Sequence, residues 1–227
     1  MAVTGSKKAV FLDRDGVLIE DRGVLVRSRN ITVIKGAAAA LRRLKDAGFL
    51  VVIVTNQTVV ARGLLSPAEV VALQQAVALR LGGNDTTLAR APSADATALI
   101  DGFYFCPHHP NATLPAYRRD CSCRKPAPGL LLEAARALDI DLGSSVMVGD
   151  RPSDVAAGKA AGCRTIQVLS GRHADPVIET TAGFAVIPPD VTCASIVEAV
   201  DHILQSAPLT GTTTPTSVLA DEPAGSA

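Results

Sequence analysis

The sequence predicts an α/β fold in three layers, with one parallel sheet covered by helices on both faces. Three observations carry this. Short apolar runs rich in Val, Ile and Phe alternate with longer stretches of helical pattern. Polar residues able to do chemistry stand directly after the ends of those runs, where open α/β sheets bind ligands. Apolar residues make up 48% of the 227-residue chain, ample for a core and too many for a disordered chain.

The elements follow in order. Residues 8–12 read as a buried strand and residues 36–47 as a helix, with Gly48 at its C-terminal end. Residues 50–54 form a β-branched strand. Ser66-Pro67-Ala68-Glu69 starts a helix that runs to about residue 81, with Ser as N-cap, Pro at the first turn and Glu reaching back. Residues 103–105 are a short strand, 128–138 a helix, 146–148 a strand and 152–161 a helix. Residues 165–169 and 185–187 are strands, and 193–204 is the last helix. Residues 82–100 are rich in Gly, Asn, Thr and Ala without periodicity, and read as a long surface loop. Residues 1–6 read as a disordered lead-in and 7–205 as the folded domain. In residues 206–227, 17 of 22 are Ala, Thr, Ser, Pro or Gly, so a disordered tail is expected there.

Composition excludes several classes of function. There are 22 basic and 22 acidic side chains, which leaves no electrostatic footprint for a polyanion. Aromatics are 3% with no Trp, so a base-stacking platform is not expected either. The longest uncharged stretch, 202–220, is full of Thr, Ser and Pro and fails as a membrane span. After Lys7 and Lys8 only Ala9-Val10-Phe11-Leu12 precede Asp13, too short for a signal-peptide core. Five cysteines are an odd number, which argues against a disulfide scaffold and leaves thiols available for metal. The expectation is a cytoplasmic monomer acting on a small molecule, without nucleic acid or membrane partners.

Four segments carry chemistry. Asp13-Arg14-Asp15-Gly16-Val17 follows the first strand. One of its aspartates can attack an electrophile, and the other can donate a proton and later accept one. Thr55-Asn56 follows the 50–54 strand, Lys125 stands just before a helix, and Gly149-Asp150-Arg151-Pro152-Ser153-Asp154 follows the 146–148 strand. Taken singly, these are ordinary turn residues, helix caps and a solvated charge. Their joint occurrence after successive strand ends points to one site on one sheet edge.

These motifs resemble the haloacid dehalogenase superfamily of phosphohydrolases, with its Rossmann-like sheet. The resemblance implies that Asp13 is the nucleophile that forms an aspartyl-phosphate and Asp15 the general acid/base. It implies that Thr55 hydrogen-bonds the phosphoryl oxygens and Lys125 neutralises them. Mg²⁺ would be held by Asp13, the backbone carbonyl of Asp15, and Asp150, with Asp154 as a supporting carboxylate. An acid at Asp15 suits a phosphatase, because it can protonate an alkoxide leaving group.

A second constellation is Cys106-Pro107-His108 with Cys121-Ser122-Cys123. Three thiols and one imidazole match a closed structural Zn²⁺ site. His109 competes with His108 as ligand, but Cys-x-His mirrors Cys-x-Cys. The 107–120 loop between them has little to bury, and a Zn²⁺ would pin it. Arg124 and Lys125 follow directly, so pinning the loop would set two cations beside a phosphate.

The zinc pattern, with Asp-Arg-Asp-Gly-Val-Leu, Thr-Asn-Gln and Ala-Arg-Gly, is similar to the histidinol-phosphatase-related branch. Its best-known group is the D-glycero-D-manno-heptose 1,7-bisphosphate 7-phosphatases, which lack a large cap domain. That resemblance implies substrate contacts from Asp21, Arg22, Gly23, Val24, Asn56, Gln57, Thr58, Arg62 and Arg124. Thr58-Val59-Val60 departs from the Ser-Gly-Ile or Ser-Gly-Val usual in that branch. The expected activity is removal of the 7-phosphate from the heptose bisphosphate. Histidinol phosphate and other sugar or polyol phosphates are the alternative substrates. A non-catalytic zinc-stabilised phosphate-binding module is the reading of another class, and nucleic-acid end processing a third.

Overall fold

Strand β1 (Ala9–Leu12) is wholly apolar and wholly buried, as a strand covered on both faces must be. It is the centre of the computed structural model, which describes residues 6–82, 99–172 and 186–206. The other strands are β2 (Leu50–Asn56), β3 (Gly102–Cys106), β4 (Val146–Gly149), β5 (Arg164–Val168) and β6 (Val191–Cys193). The helices are α1 (Ala37–Asp46), α2 (Thr58–Ala61), α3 (Pro67–Arg80), α4 (Gly129–Leu138), α5 (Pro152–Ala161) and α6 (Ile196–Ser206).

The strands form one sheet in the order β3-β2-β1-β4-β5-β6, and every neighbouring pair is parallel. Side chains alternate between its faces. Val10 and Leu12 join the core under α1, α3 and α6, whereas Ala9 and Phe11 join the core under α4 and α5. In α1, Ala37, Ala40, Leu41 and Leu44 are buried, the spacing of one helical face. Helix α3 begins with the predicted capping box: Ser66 Oγ accepts from the Glu69 N–H, and Glu69 accepts from the Ser66 N–H at 2.7 Å. The chain winds outward from β1 to β3, then returns to place β4 on the other side of β1. The crevice beyond the carboxyl ends of β1 and β4 is therefore the switch point where such sheets bind ligands. Among the described residues no second domain is inserted, and no helix is long and apolar enough to cross a membrane.

Several boundaries differ from the sequence reading. No strand forms at Val186 and Ile187, which are exposed, and Ala185 lies outside the described residues. Pro188 and Pro189 follow and have no N–H for a ladder, so the sixth strand starts beyond them. Cys193 ends that strand opposite Val168, which delays the last helix to Ile196. Thr55 and Asn56 are the last two residues of β2 and pair with Phe105 and Cys106. Ser6 is not part of a free lead-in, because its N–H donates to the Asp139 carbonyl at 3.1 Å. Ser206 closes α6 instead of opening a tail. Of the expected 82–100 loop, Leu99 and Ile100 are core residues and 83–98 lie outside the described residues. The rest of the lead-in (1–5) and of the tail (207–227) also lie outside them.

Candidate active site

The end of β1 is carried past the strand by one more ladder bond, from the Asp13 N–H to the Val148 carbonyl at 3.0 Å. This sets Asp13 at the floor of a cavity of about 180 Å³, with its side chain almost entirely buried. The chain then turns at Gly16, whose φ is +83°. A Cβ there would lie 2.6 Å from Asp150 Oδ2, so only glycine lets the two loops approach.

Lys125 joins this floor from the other face of the sheet. Asn56 holds its backbone twice: the Lys125 N–H donates to Asn56 Oδ1 at 3.1 Å, and Asn56 Nδ2 donates to the Lys125 carbonyl at 3.0 Å. The ammonium, 2% exposed, donates to Asp13 Oδ1 at 2.9 Å and to the Val54 carbonyl at 2.8 Å, and pairs with Asp154 Oδ1 at 2.6 Å. Burial alone would push the Lys125 pKa down. Asp13 and Asp154 outweigh it and hold the ammonium above its ordinary range.

Carboxylate oxygens of Asp13, Asp150 and Asp154 lie within 4.8 Å of one another. Asp150 is fully buried, and burial, then Asp154 and Asp13, pushes its carboxyl up to about 8. Its Oδ2 accepts from the Arg172 N–H at 2.7 Å, whereas its buried Oδ1 has no hydrogen-bond partner. An all-oxygen cluster with excess negative charge and an orphaned carboxylate oxygen fits a hard divalent cation. The cluster includes Asp154, which the sequence reading kept as a supporting group.

Asp15 points elsewhere. Its carboxylate pairs with Arg14 Nη2 at 2.7 Å and accepts from Gln57 Nε2 at 3.1 Å. Gln57 also meets Thr55 Oγ1 and receives a bond from Arg14, both at 3.1 Å. One buried amide thus fixes Asp15, Thr55 and Arg14 together.

The expected substrate residues fall into three groups. Asp21, Gly23, Val24, Asn56, Gln57, Thr58 and Arg62 line the Asp13 cavity. Arg22 lies outside it, on an adjoining cavity. Arg124 lines neither, since it is buried with Nη1 donating to the His108 carbonyl at 3.2 Å. That bond ties Arg124 to the Cys/His loop. Asn56, Gln57 and Asp21 line the cavity with their polar groups already engaged by protein. Asp21 is taken up by Arg172 at 3.0 Å and Arg151 at 3.4 Å. Sequence reasoning missed Arg14, Arg151, Ser153 and Arg172, all of which line the cavity. Ser170-Gly171-Arg172 follows the end of β5, so the strand-end rule that found Asp13 and Asp150 extends to it.

Beside this site, Cys106, His108, Cys121 and Cys123 bring their ligand atoms within 4.8 Å of one another. Sulfur–sulfur distances are 3.2 to 3.5 Å, and His108 Nδ1 lies 3.4 Å from Cys123 and 3.7 Å from Cys106. Sulfurs at that spacing are not disulfide-bonded, and all three are free. They approach the ~3.8 Å edge of a tetrahedron with 2.3 Å metal–sulfur bonds. The hydrogen bond between Cys106 and Cys123 lowers the Cys123 thiol to about 5, while the same bond and burial raise Cys106. His109 is turned away, with Nδ1 accepting from the Asn111 N–H at 3.0 Å.

The chain is similar to proteins already known. The HAD-hydrolase-like family model matches residues 122–199. The D-glycero-β-D-manno-heptose-1,7-bisphosphate 7-phosphatase of Yersinia pestis is 39% identical over 171 residues, covering 75% of this chain and 85% of that protein. The enzyme of that name from Vibrio cholerae is 37% identical over 183 residues, covering 80% and 90%. The crystal structure of D,D-heptose 1,7-bisphosphate phosphatase from B. bronchiseptica, complexed with magnesium and phosphate, aligns with a TM-score of 0.69. Its sequence identity is 29%, and the alignment covers 88% of this chain and 99% of that one. At this identity and coverage, the chain belongs to the D-glycero-β-D-manno-heptose-1,7-bisphosphate 7-phosphatase family of HAD-like phosphatases.

Proposed function

We propose that the chain hydrolyses the 7-phosphate of D-glycero-D-manno-heptose 1,7-bisphosphate, with Mg²⁺ at the three-carboxylate cluster and Zn²⁺ at the Cys/His cluster. The observation that carries it is the contact between Lys125 Nζ and Asp13 Oδ1 at 2.9 Å, at the floor of a cavity beside Asp150 and Asp154. The relatives named above supply the substrate.

The chemistry follows from the groups. An Asp13 oxygen attacks phosphorus, and the bond from phosphorus to the sugar oxygen breaks. Asp15 gives its proton to that leaving oxygen. Water then attacks the aspartyl-phosphate, Asp15 takes the water's proton, and phosphate leaves with Asp13 restored. Lys125 and Thr55 hold the phosphoryl oxygens, because phosphoryl transfer depends on positioning and positive charge. Mg²⁺, when bound, neutralises the phosphoryl charge next to Asp13 and Asp150. Gln57 keeps Asp15 on the cavity wall. The zinc ligands hold the segment that carries Lys125.

The test is phosphate release from the heptose bisphosphate and from histidinol phosphate by the same purified sample, with its metal content measured. Preference for the heptose bisphosphate is expected, and preference for histidinol phosphate would overturn the substrate assignment.

A further inference from the structure

Asp21 carries a buried carboxylate that the chemistry above does not use. It lies outside the three-carboxylate cluster but lines the same cavity, with its side chain 7% exposed. Its Oδ1 accepts from the Gly23 N–H at 2.8 Å, which holds the carboxylate in a tight turn. Its Oδ2 meets two guanidiniums, Arg172 Nε at 3.0 Å and Arg151 Nη2 at 3.4 Å. A carboxylate so enclosed has little left to offer a sugar hydroxyl.

The two arginines do more than neutralise it. Each puts its own backbone N–H on one acid of the cluster. The Arg172 N–H donates to Asp150 Oδ2 at 2.7 Å, and the Arg151 N–H donates to Asp154 Oδ2 at 3.0 Å. Arg151 is the N-cap of α5 and Arg172 follows the end of β5, so these donors come from separate segments of chain. Asp21 joins the two segments through their side chains. A further tie runs from Ser170 Oγ to the Gly16 carbonyl at 2.7 Å, which fastens the loop after β5 to the loop after β1.

We infer that Asp21 is a positioning residue for the cation site: through Arg172 and Arg151 it sets the two N–H donors that aim Asp150 and Asp154, and so sets the affinity for Mg²⁺. Asp150 shows why the donor matters. Its Oδ2 is on the Arg172 N–H and its buried Oδ1 has no partner, so the donor decides which way the free oxygen faces. Groups that orient metal ligands from behind are typically worth ~10–100-fold in metal affinity. The inference rests on the Mg²⁺ reading above and adds what holds the ligands in aim.

The experiment is calorimetric titration of Mg²⁺ into the full chain, with zinc retained and no substrate present. Wild type, Asp21→Asn, Arg172→Gln and the double variant are compared. Asn can keep the turn bond to Gly23, but its NH₂ faces the guanidiniums as donor against donor. Each single variant is expected to weaken Mg²⁺ binding about tenfold, and the double variant no more than either one, because both break the same clamp. Simple charge predicts the opposite sign for Arg172→Gln: removing a cation near the site would tighten Mg²⁺, and the double variant would match wild type. Tighter binding in Arg172→Gln, unchanged binding in either single variant, or losses that multiply in the double variant would each overturn the positioning role. If Asp21→Asn fails to fold, the sign of the change in Arg172→Gln decides alone. A rise in substrate KM with Mg²⁺ affinity unmoved would make Asp21 a substrate contact instead. A wild type that takes up no Mg²⁺ overturns the Mg²⁺ reading and this inference with it, whereas a wild type that binds while the variants bind equally overturns the inference alone.

Discussion

Lys125 Nζ stands between two buried carboxylates, 2.9 Å from Asp13 Oδ1 and 2.6 Å from Asp154 Oδ1. It is the cation that offsets a cluster of three buried acids. Lys125→Met removes it and keeps the volume of the stem. The expected stability loss is ~3–5 kcal/mol, because one partner of a buried pair is deleted and the acids are left facing each other. The expected fall in kcat is about 10²–10³, the usual effect of removing one group that stabilises an oxyanion. Urea denaturation and saturating-substrate kinetics read the two effects separately. A variant with wild-type kcat would contradict the role given to Lys125.

Asp13→Asn should abolish phosphate release while the fold survives. The substitution is nearly isosteric and removes one of the repelling charges, so the melting temperature should stay level or rise. Asp15→Asn should behave differently. It leaves the proposed nucleophile and removes the group proposed to take the water's proton, so phosphate delivered by a substrate with a good leaving group should remain on the protein. Acid-quenched labelling with such a substrate reads the difference. Equal labelling of both variants would refute the division of labour.

The pH dependence of stability follows from Asp150. Its carboxyl is pushed up to about 8 by burial and by the neighbouring acids. The unfolded chain titrates near ~3.9. Between these values the folded state holds a proton that the unfolded state has released. The stabilisation is therefore full below the unfolded pKa and is lost as pH rises through about 8. In protein freed of Mg²⁺ with its zinc retained, the urea midpoint should fall from about pH 5 to about pH 8.5. Saturating Mg²⁺ should remove that fall by replacing the proton. A midpoint that rises with pH in the Mg²⁺-free protein would mean that Asp150 is ionised without the ion.

What was legible in the chain divides by the range of the cause. The β1 run, the Asp13-to-Asp15 turn, the Ser66–Glu69 cap and the paired Cys spacings are local, and each could be read from adjacent residues. The commitments of Asn56, Asp21 and Arg124 are not local. Asn56 spends its amide on the Lys125 backbone, 69 positions away, and no spacing rule shows that. Arg124 looked like a substrate cation because it adjoins Lys125, but successive residues point in different directions and it turned to the His108 carbonyl. The strand expected at Val186 and Ile187 failed for a readable reason, the two prolines that follow them. Arg151 and Arg172 were readable too, since both stand just past strand ends.

Removing the Cys/His ligands tests the pinning of the 107–120 loop. Cys123→Ser should lower zinc content from one ion per chain toward none. A structural zinc site of this kind contributes outright to folding, so a loss of about 3 kcal/mol is a conservative expectation. For a domain of this size that corresponds to a fall of ~6–12 °C in melting temperature. The loop's neighbour is Lys125, so kcat should fall with it, whereas Cys163→Ser, at a buried thiol outside the cluster, should retain zinc. Metal analysis, melting and kinetics on the same samples separate these outcomes. Full zinc content in Cys123→Ser would remove it from the ligand set.

Of the two glycines packed against Asp150, Gly171 is the tighter. A Cβ there would lie 2.2 Å from Asp150 Oδ2 and 2.8 Å from Asp150 Cβ, too close for any real contact. The Asp150 side chain cannot yield easily, because it is buried and held by the Arg172 N–H at 2.7 Å. Gly171→Ala must therefore turn that carboxylate or shift the loop. Either change moves a proposed Mg²⁺ ligand without touching Asp13, Asp15 or Lys125. The half-saturating Mg²⁺ concentration should rise about tenfold or more, with much of kcat recovered at high Mg²⁺. Gly48→Ala is the control. Gly48 has a φ of +78° and nothing within 4 Å of an added Cβ, so the change costs backbone strain alone. It should lower stability by ~1 kcal/mol and leave the Mg²⁺ dependence unmoved. If Gly171→Ala shows only the stability loss of Gly48→Ala, Asp150 does not set the affinity for the ion.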